Sequence, residues 1–218
     1  RRLTIRDGTD PSSAGVYCRS SARCFLSRLH VHNNGFGVWG DGSIVYLDRS
    51  RVHDNLASGG VYLASSEFHI TNSWIWANGS ASASSFGGVS LQDDGNNLSV
   101  FAFNTVFANR SPAVSGVRCQ NQITLSSSIF RNNATADVSS TQCRVAYSAI
   151  ADTSPWPSAN NLTDNPLLTS ELPQAVDLHL QDGSPCRGTG DPGLALGPDI
   201  DGQNRDVAPD MGADEIVP

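Results

Sequence analysis

Residues 26–34 (LSRLHVHNN) decide how this chain folds, because their pattern returns five more times. The copies are 47–55 (LDRSRVHDN), 70–78 (ITNSWIWAN), 102–110 (AFNTVFANR), 125–133 (LSSSIFRNN) and 145–153 (VAYSAIADT). Each starts on an apolar residue, crosses a polar stretch and reaches an apolar anchor that precedes x-x-Asn or its equivalent. The anchors Val31, Val52, Ile75, Phe107, Phe130 and Ile150 are 21, 23, 32, 23 and 20 residues apart. A second signal keeps the same beat: Gly15-Val16, Gly37-Val38, Gly60-Val61, Gly88-Val89 and Gly116-Val117, with Asp137-Val138 last.

A unit of this length holds two or three short strands but no core, so neighbouring units must stack and bury one another's apolar faces. Leucine-rich repeats share the period but require a leucine density that is absent. The remaining solution is all-β: a parallel β-helix of about six to seven coils over residues 1–160, with coils at the inter-strand spacing of roughly 4.8 Å. Residues 161–218, rich in Pro and Asp, read as an irregular cap folded over the last coil, since an open solenoid end exposes unpaired strand edges.

Alternation assigns faces. Val16, Val38, Val61, Val89, Val117 and Val138 form one inward column, and Leu26, Leu47, Ile70, Ala102, Leu125 and Val145 another. Asn34, Asn55, Asn78 and Asn133 read as a turn ladder, adopting left-handed backbone and bonding to the same residue one coil along. Residues 79–86 (GSASASSF) and 92–97 (QDDGNN) interrupt the period and read as loops emerging on one face.

Composition agrees. The 218 residues include no lysine, 14 basic residues (all arginine) and 21 acidic ones, for a net charge of −7, which argues against a nucleic-acid partner. Ser, Asn and Gly make up 65 residues, a turn-forming rather than helix-forming composition. No apolar run is long enough for a transmembrane segment. Five cysteines point to an oxidising compartment, hence a secreted or cell-surface (extracellular) protein. The first eight residues read as a strand already under way, so association with further parts of a longer chain is expected.

These features resemble bacterial extracellular proteins with the right-handed parallel β-helix of the pectin-lyase-like type. Gly59-Gly60-Val61-Tyr62, Gly87-Gly88-Val89-Ser90 and 130–133 (FRNN) are similar to the repeats of polymorphic outer-membrane adhesins. The tail, with DLHLQDGSPC at 177–186 and DMGADE at 210–215, resembles the C-terminal segment of surface β-helix proteins with a choice-of-anchor domain. That resemblance implies adhesion, a structural role, or binding of a polysaccharide or a cell-surface partner protein. It also implies an alternative, a polysaccharide-degrading enzyme.

Polysaccharide lyases of this fold use a basic proton abstractor. Lysine is absent, and arginine stays protonated. Asp93-Asp94 is similar to the Asp-Asp motif of polygalacturonases, whose paired carboxylates act as acid and base. The companion motifs of that family are missing, and a loop turn is the other reading of Asp94-Gly95. His32 and His53 occupy equivalent positions in successive coils and either share a metal or decorate a polar face. Asp199, Asp201, Asn204 and Asp206 place oxygens at intervals around Gly202, a set suited to Ca²⁺. Tyr17, Trp39 and Tyr62 follow inward valines and point outward in one column, and Trp74 and Trp76 flank inward Ile75. Such aromatics form a platform for sugar rings or a protein interface, unless other parts of the chain cover them. Cys18 with Cys24, and Cys119 with Cys143, come within disulfide reach across the narrow lumen, leaving Cys186 unpaired.

Overall fold

The computed structural model describes residues 3–8, 10–82, 86–139, 141–157, 159–194 and 197–217, among which there is no helix. The chain enters with β1 (Leu3–Arg6) and then repeats a three-strand coil. The coils are β2 (Ala14–Arg19), β3 (Arg23–Ser27), β4 (Leu29–His32); β5 (Phe36–Asp41), β6 (Ile44–Asp48), β7 (Arg51–His53); and β8 (Gly59–Ala64), β9 (Glu67–Thr71), β10 (Trp74–Trp76). They continue as β11 (Val89–Leu91), β12 (Val100–Ala102), β13 (Thr105–Phe107); β14 (Val117–Cys119), β15 (Ile123–Ser126), β16 (Ile129–Arg131); and β17 (Cys143–Ala146), β18 (Ala149–Ile150). Equivalent strands stack in parallel into three sheets, and the short β19 (Leu168–Ser170) and β20 (Asp177–Leu180) pair antiparallel in the tail.

The first inward column stands in register from Val16 through Val38, Val61, Val89 and Val117 to a bridge at Val138. In the second column Leu47, Ile70 and Leu125 line up, but Phe101, not Ala102, fills the fourth coil. The third column takes Val106 rather than Phe107, between Ile75 and Phe130. The fourth coil is therefore shifted by one residue from its expected phase, and a one-residue slip exchanges the two faces of a strand. Every member of these columns from the second coil to the fifth is almost wholly buried.

Two polar ladders hold the corners. Asn55, Asn78, Asn109 and Asn133 each receive, on Oδ1, the backbone N–H and the side-chain amide of the preceding rung, at 2.9–3.2 Å. Asn109 is the rung absent from the expected set. The ladder residues are not the left-handed ones. Their predecessors Asn33, Asp54, Ala77, Ala108 and Asn132 carry φ of 51–56°, at a conformational cost of roughly 1 kcal/mol or more each. The ladder amides also donate to carbonyls such as Val52 O at 3.0 Å, so no rung leaves a buried polar group unmet. A second ladder runs through Ser50, Ser73, Asn104, Ser128, Ser148 and Asn161, each side-chain oxygen accepting a backbone N–H at 3.0–3.1 Å.

The glycine beat follows from the first ladder. A Cβ on Gly60 would lie 2.5 Å from Gly88 O and 2.9 Å from Asn78 Nδ2, so only glycine lets the strand pass the ladder. Asp137 ends the series: its Oδ1 receives Asn133 N and Nδ2 at 3.1 and 2.8 Å, terminating the Asn ladder where the glycine column stops.

The C-terminal segment starts on the last coil and then leaves it for the side of the solenoid. The last coil is covered by Trp156, which packs on the core and donates to Cys143 O at 3.1 Å, and by Leu162, which bridges to Ala149. From Leu168 onward the chain instead lies along the flank of the β4–β7–β10–β13–β16–β18 sheet. There Leu178, Leu180, Cys186, Ile200, Met211 and Ala213 form a second core with outward-facing Trp74, Trp76, Phe107 and Ile129. Apolar residues on an outer face are stable only when something removes them from water, and the tail does so. Of the loop at 79–86, residues 83–85 lie outside the described residues.

Candidate functional site

The outer face of β2, β5 and β8 brings Tyr17, Trp39 and Tyr62 into register, one per coil. Their ring centroids are 5.0 Å (Tyr17–Trp39) and 5.7 Å (Trp39–Tyr62) apart. Phe36 widens the patch, 4.9 Å from Trp39 and 6.0 Å from Tyr62, and buried Phe86 underlies Tyr62 at 5.8 Å. Arg19 lies over Tyr17 at 5.7 Å and Arg118 over Phe86 at 6.0 Å, giving the edges of the patch guanidinium donors. Tyr17 is 47% exposed, and Trp39 and Tyr62 are half-buried. The neighbours in register beyond Tyr62 are Ser90 and Arg118, so the column changes from aromatic to polar.

Trp74 and Trp76 belong elsewhere. They face outward but are only 3% and 9% exposed, because the tail covers them. They are part of the flank core and not of an open platform. Arg51 lies over the Trp74 ring at 4.4 Å, and His179 from the tail meets its edge at 4.8 Å.

His32 and His53 are partners in register, with rings stacked 5.0 Å apart. His30 joins them, its Nε2 facing His53 Nε2 at 2.5 Å. His53 is held by Asp54 at 2.7 Å and stacks on Trp76 at 4.0 Å. Burial and the neighbouring His53 and Arg6 keep the His32 imidazole below its ordinary value.

Asp93 and Asp94 are occupied in turn formation. Asp93 accepts from Gly95 N at 2.7 Å and from the Ser99 hydroxyl, and Asp94 accepts from Asn96 N at 3.0 Å and Asn96 Nδ2 at 2.8 Å. Local bonds of this kind build Asx turns.

The four expected Ca²⁺ ligands do not converge. Asp199 is fully buried and turns its oxygens onto the N–H groups of Asp201, Gly202, Gln203 and Glu215, at 2.7–3.1 Å. Asp206 caps Ala208 N, and Asn204 bridges to Pro198. Among the described residues, the one group of three ligand-bearing side chains with ligand atoms within 4.8 Å of one another is His179, Asp201 and Asp214. Only Asp201 was legible in sequence, because His179 and Asp214 sit far from it along the chain.

The tail motif at 210–215 works as a latch. Arg205 lies over Phe103 at 4.2 Å and donates to Asn72 Oδ1, Gly212 O and Glu215 Oε2 at 3.1, 2.8 and 3.0 Å. Asp210 accepts from Gly188 N and Ile216 N at 2.6 and 2.8 Å. Burial holds the Asp210, Asp214 and Glu215 carboxyls above their ordinary range and lowers the Arg205 guanidinium.

Cys18–Cys24 and Cys119–Cys143 are disulfides with Cα separations of 6.3 and 5.2 Å. Cys186 is unpaired and buried in the flank core, its thiol pushed up to about 12 by burial. A thiol held protonated is no nucleophile.

Stacked parallel coils, two asparagine and serine ladders and a flanking tail define a parallel β-solenoid. The sequence model described as "Right handed beta helix region" matches residues 1–152, and the chain belongs to that family. No curated protein and no solved structure matches the chain. No helix among the described residues is long and apolar enough to cross a membrane.

Proposed function

We propose that this chain is the carbohydrate-binding module of a secreted or cell-surface β-helix protein, and that it takes a polysaccharide along the aromatic face of its first three coils. The carrying observation is the column Tyr17, Trp39, Tyr62, three rings at the pitch of the coils with Phe36 beside them. A row of partly exposed rings offers stacking surface to successive sugar rings, and Arg19 at its edge offers donors to hydroxyl or carboxylate groups. The two disulfides support an extracellular setting. The turn bonding of Asp93 and Asp94 favours binding over hydrolysis, since inverting hydrolysis needs one free acid and one free base across the scissile bond.

The test is affinity electrophoresis and calorimetry against neutral and acidic polysaccharides, comparing wild type with Trp39→Ala/Tyr62→Ala. Loss of stacking at two rings should weaken binding on the order of tenfold or more. Unchanged binding by a folded double variant would refute the site. Release of reducing ends, abolished by Asp93→Asn/Asp94→Asn, would establish the enzymatic alternative. Retention of a surface protein but no polysaccharide would move the face to a protein partner.

A further inference from the structure

The seam between tail and solenoid carries a group of side chains that the binding face does not use. His179 on β20 places Nε2 at 2.5 Å from Asp201 Oδ2, and its Nδ1 bonds Asp177 Oδ1. Asp214 completes the group. It is 5% exposed, and its carboxylate accepts from Leu180 N on Oδ2 at 2.8 Å. A carboxylate buried to that degree is costly to keep ionised unless positive charge faces it, and its ligand oxygen lies within 4.8 Å of those of His179 and Asp201. The seam is acidic: Asp177, Asp199, Asp201 and Asp214 all contribute, and Arg51 pairs with Asp201 at 3.7 Å.

The supporting shell is organised for coordination. A carboxylate on imidazole Nδ1–H fixes the tautomer that leaves Nε2 as a lone-pair donor, the usual arrangement behind a metal-bound histidine. Asp177 occupies that position. Asp199 orders both other ligands from one buried carboxylate, receiving the N–H of Asp201 at 3.1 Å on Oδ1 and that of Glu215, next to Asp214, at 3.1 Å on Oδ2. The residue expected from sequence to be a ligand is therefore a positioning residue. Trp74 walls the site, its ring 4.8 Å from that of His179.

We propose that His179, Asp201 and Asp214 bind a borderline divalent cation of the zinc class, which pins the C-terminal segment to the flank of the solenoid. One imidazole and two carboxylates suit Zn²⁺, which takes three protein ligands and leaves a position open. Ca²⁺ requires six to eight oxygens and is poorly served by this set. A cation that binds only the docked tail stabilises the docked state in proportion to its concentration.

The test is calorimetric titration of the chelator-treated full chain with Zn²⁺ and separately with Ca²⁺, with Co²⁺ absorption as an independent readout of nitrogen and oxygen coordination. One Zn²⁺ per chain is expected, with a raised melting temperature. His179→Gln and Asp214→Asn should abolish binding, and Asp177→Asn should weaken it about ten- to a hundredfold. Asp201→Asn, on an exposed turn, serves if a buried variant does not fold. His30→Gln/His53→Gln should leave binding unchanged. The proposal fails if wild type takes up no Zn²⁺, if Ca²⁺ binds in preference, or if uptake survives His179→Gln and disappears with the His30/His53 pair.

Discussion

Arg205 and Glu215 form an ion pair at 3.0 Å in which the two side chains are only 5% and 3% exposed. The pair stands between the tail and the solenoid, since the same guanidinium bonds Asn72 and covers Phe103. Removing one partner of a buried pair strands the other charge, at a cost of about 3–5 kcal/mol. Arg205→Met should therefore lower the urea midpoint strongly and render the tail sensitive to protease before the solenoid. Arg205→Met/Glu215→Gln, which keeps an acceptor for the Asp206 and Asp210 N–H groups, should recover part of that loss, and a double variant no better than the single one would contradict the ion-pair account.

The Asn ladder gives a graded expectation. Asn78 bonds Asn55 above, Asn109 below and Val52 O beside it. Asn78→Ala leaves several buried groups unmet and should cost roughly 3 kcal/mol, whereas Asn34→Ala at the outermost rung should cost closer to about 1 kcal/mol. Equal effects at the two rungs, measured by equilibrium denaturation, would mean that the ladder is not stabilising through satisfied hydrogen bonds.

Asp210 makes stability depend on pH. Burial raises its carboxyl, against the pull of the Ile216 and Gly188 amides and of Arg205. A carboxyl raised on folding binds its proton more readily in the folded chain, so its contribution grows as pH falls through the folded value towards the unfolded one. Wild type should thus gain stability relative to Asp210→Asn between pH 7 and pH 4 (on the order of the ordinary carboxyl range at its lower end). His32, lowered by burial, acts in the opposite sense below 6.5, but it is common to both proteins and cancels in the difference. A flat difference across the range would remove Asp210 as the cause.

The two disulfides should differ in weight. Cys119 and Cys143 are 24 residues apart and Cys18 and Cys24 only 6. Loop-closure entropy then assigns roughly 3 kcal/mol to the first and about 2 kcal/mol to the second. Thermal melts of Cys119→Ala/Cys143→Ala and Cys18→Ala/Cys24→Ala check the order, and the reverse order would point to strain or residual structure.

Most of the fold was legible because the solenoid writes itself locally. Gly60 recurs as Gly88 and Val61 as Val89 since each coil meets the next in the same way. Legibility failed in the fourth coil, where Phe101, Ala102, Phe103, Val106 and Phe107 are all buried and alternation disappears. The repeat pattern ends that unit on Arg110, whereas Asn109 is the rung. The Ser50–Ser73–Asn104–Ser128–Ser148 ladder was hidden by the abundance of serine, which leaves no contrast for a periodic signal. Sequence leaves open whether Trp74 and Trp76 are exposed or covered, because nothing in their own coil buries them.

Sequence alone determined the coil period, the inward valine column and the aromatic column on the first three coils, and it brought the two cysteine pairs within reach. Those contacts join equivalent residues at a nearly constant offset, so they leave a repeat that can be read without coordinates. Only tertiary structure decided which apolar outer faces are covered and that His179, Asp201 and Asp214 meet. The tail docks through contacts as distant as Asp191 to Ser127, Ala213 to Thr105 and Arg205 to Asn72, separated by 64, 108 and 133 residues. Contacts at such unequal offsets have no period, and the burial that drives them is a property of the assembled surface.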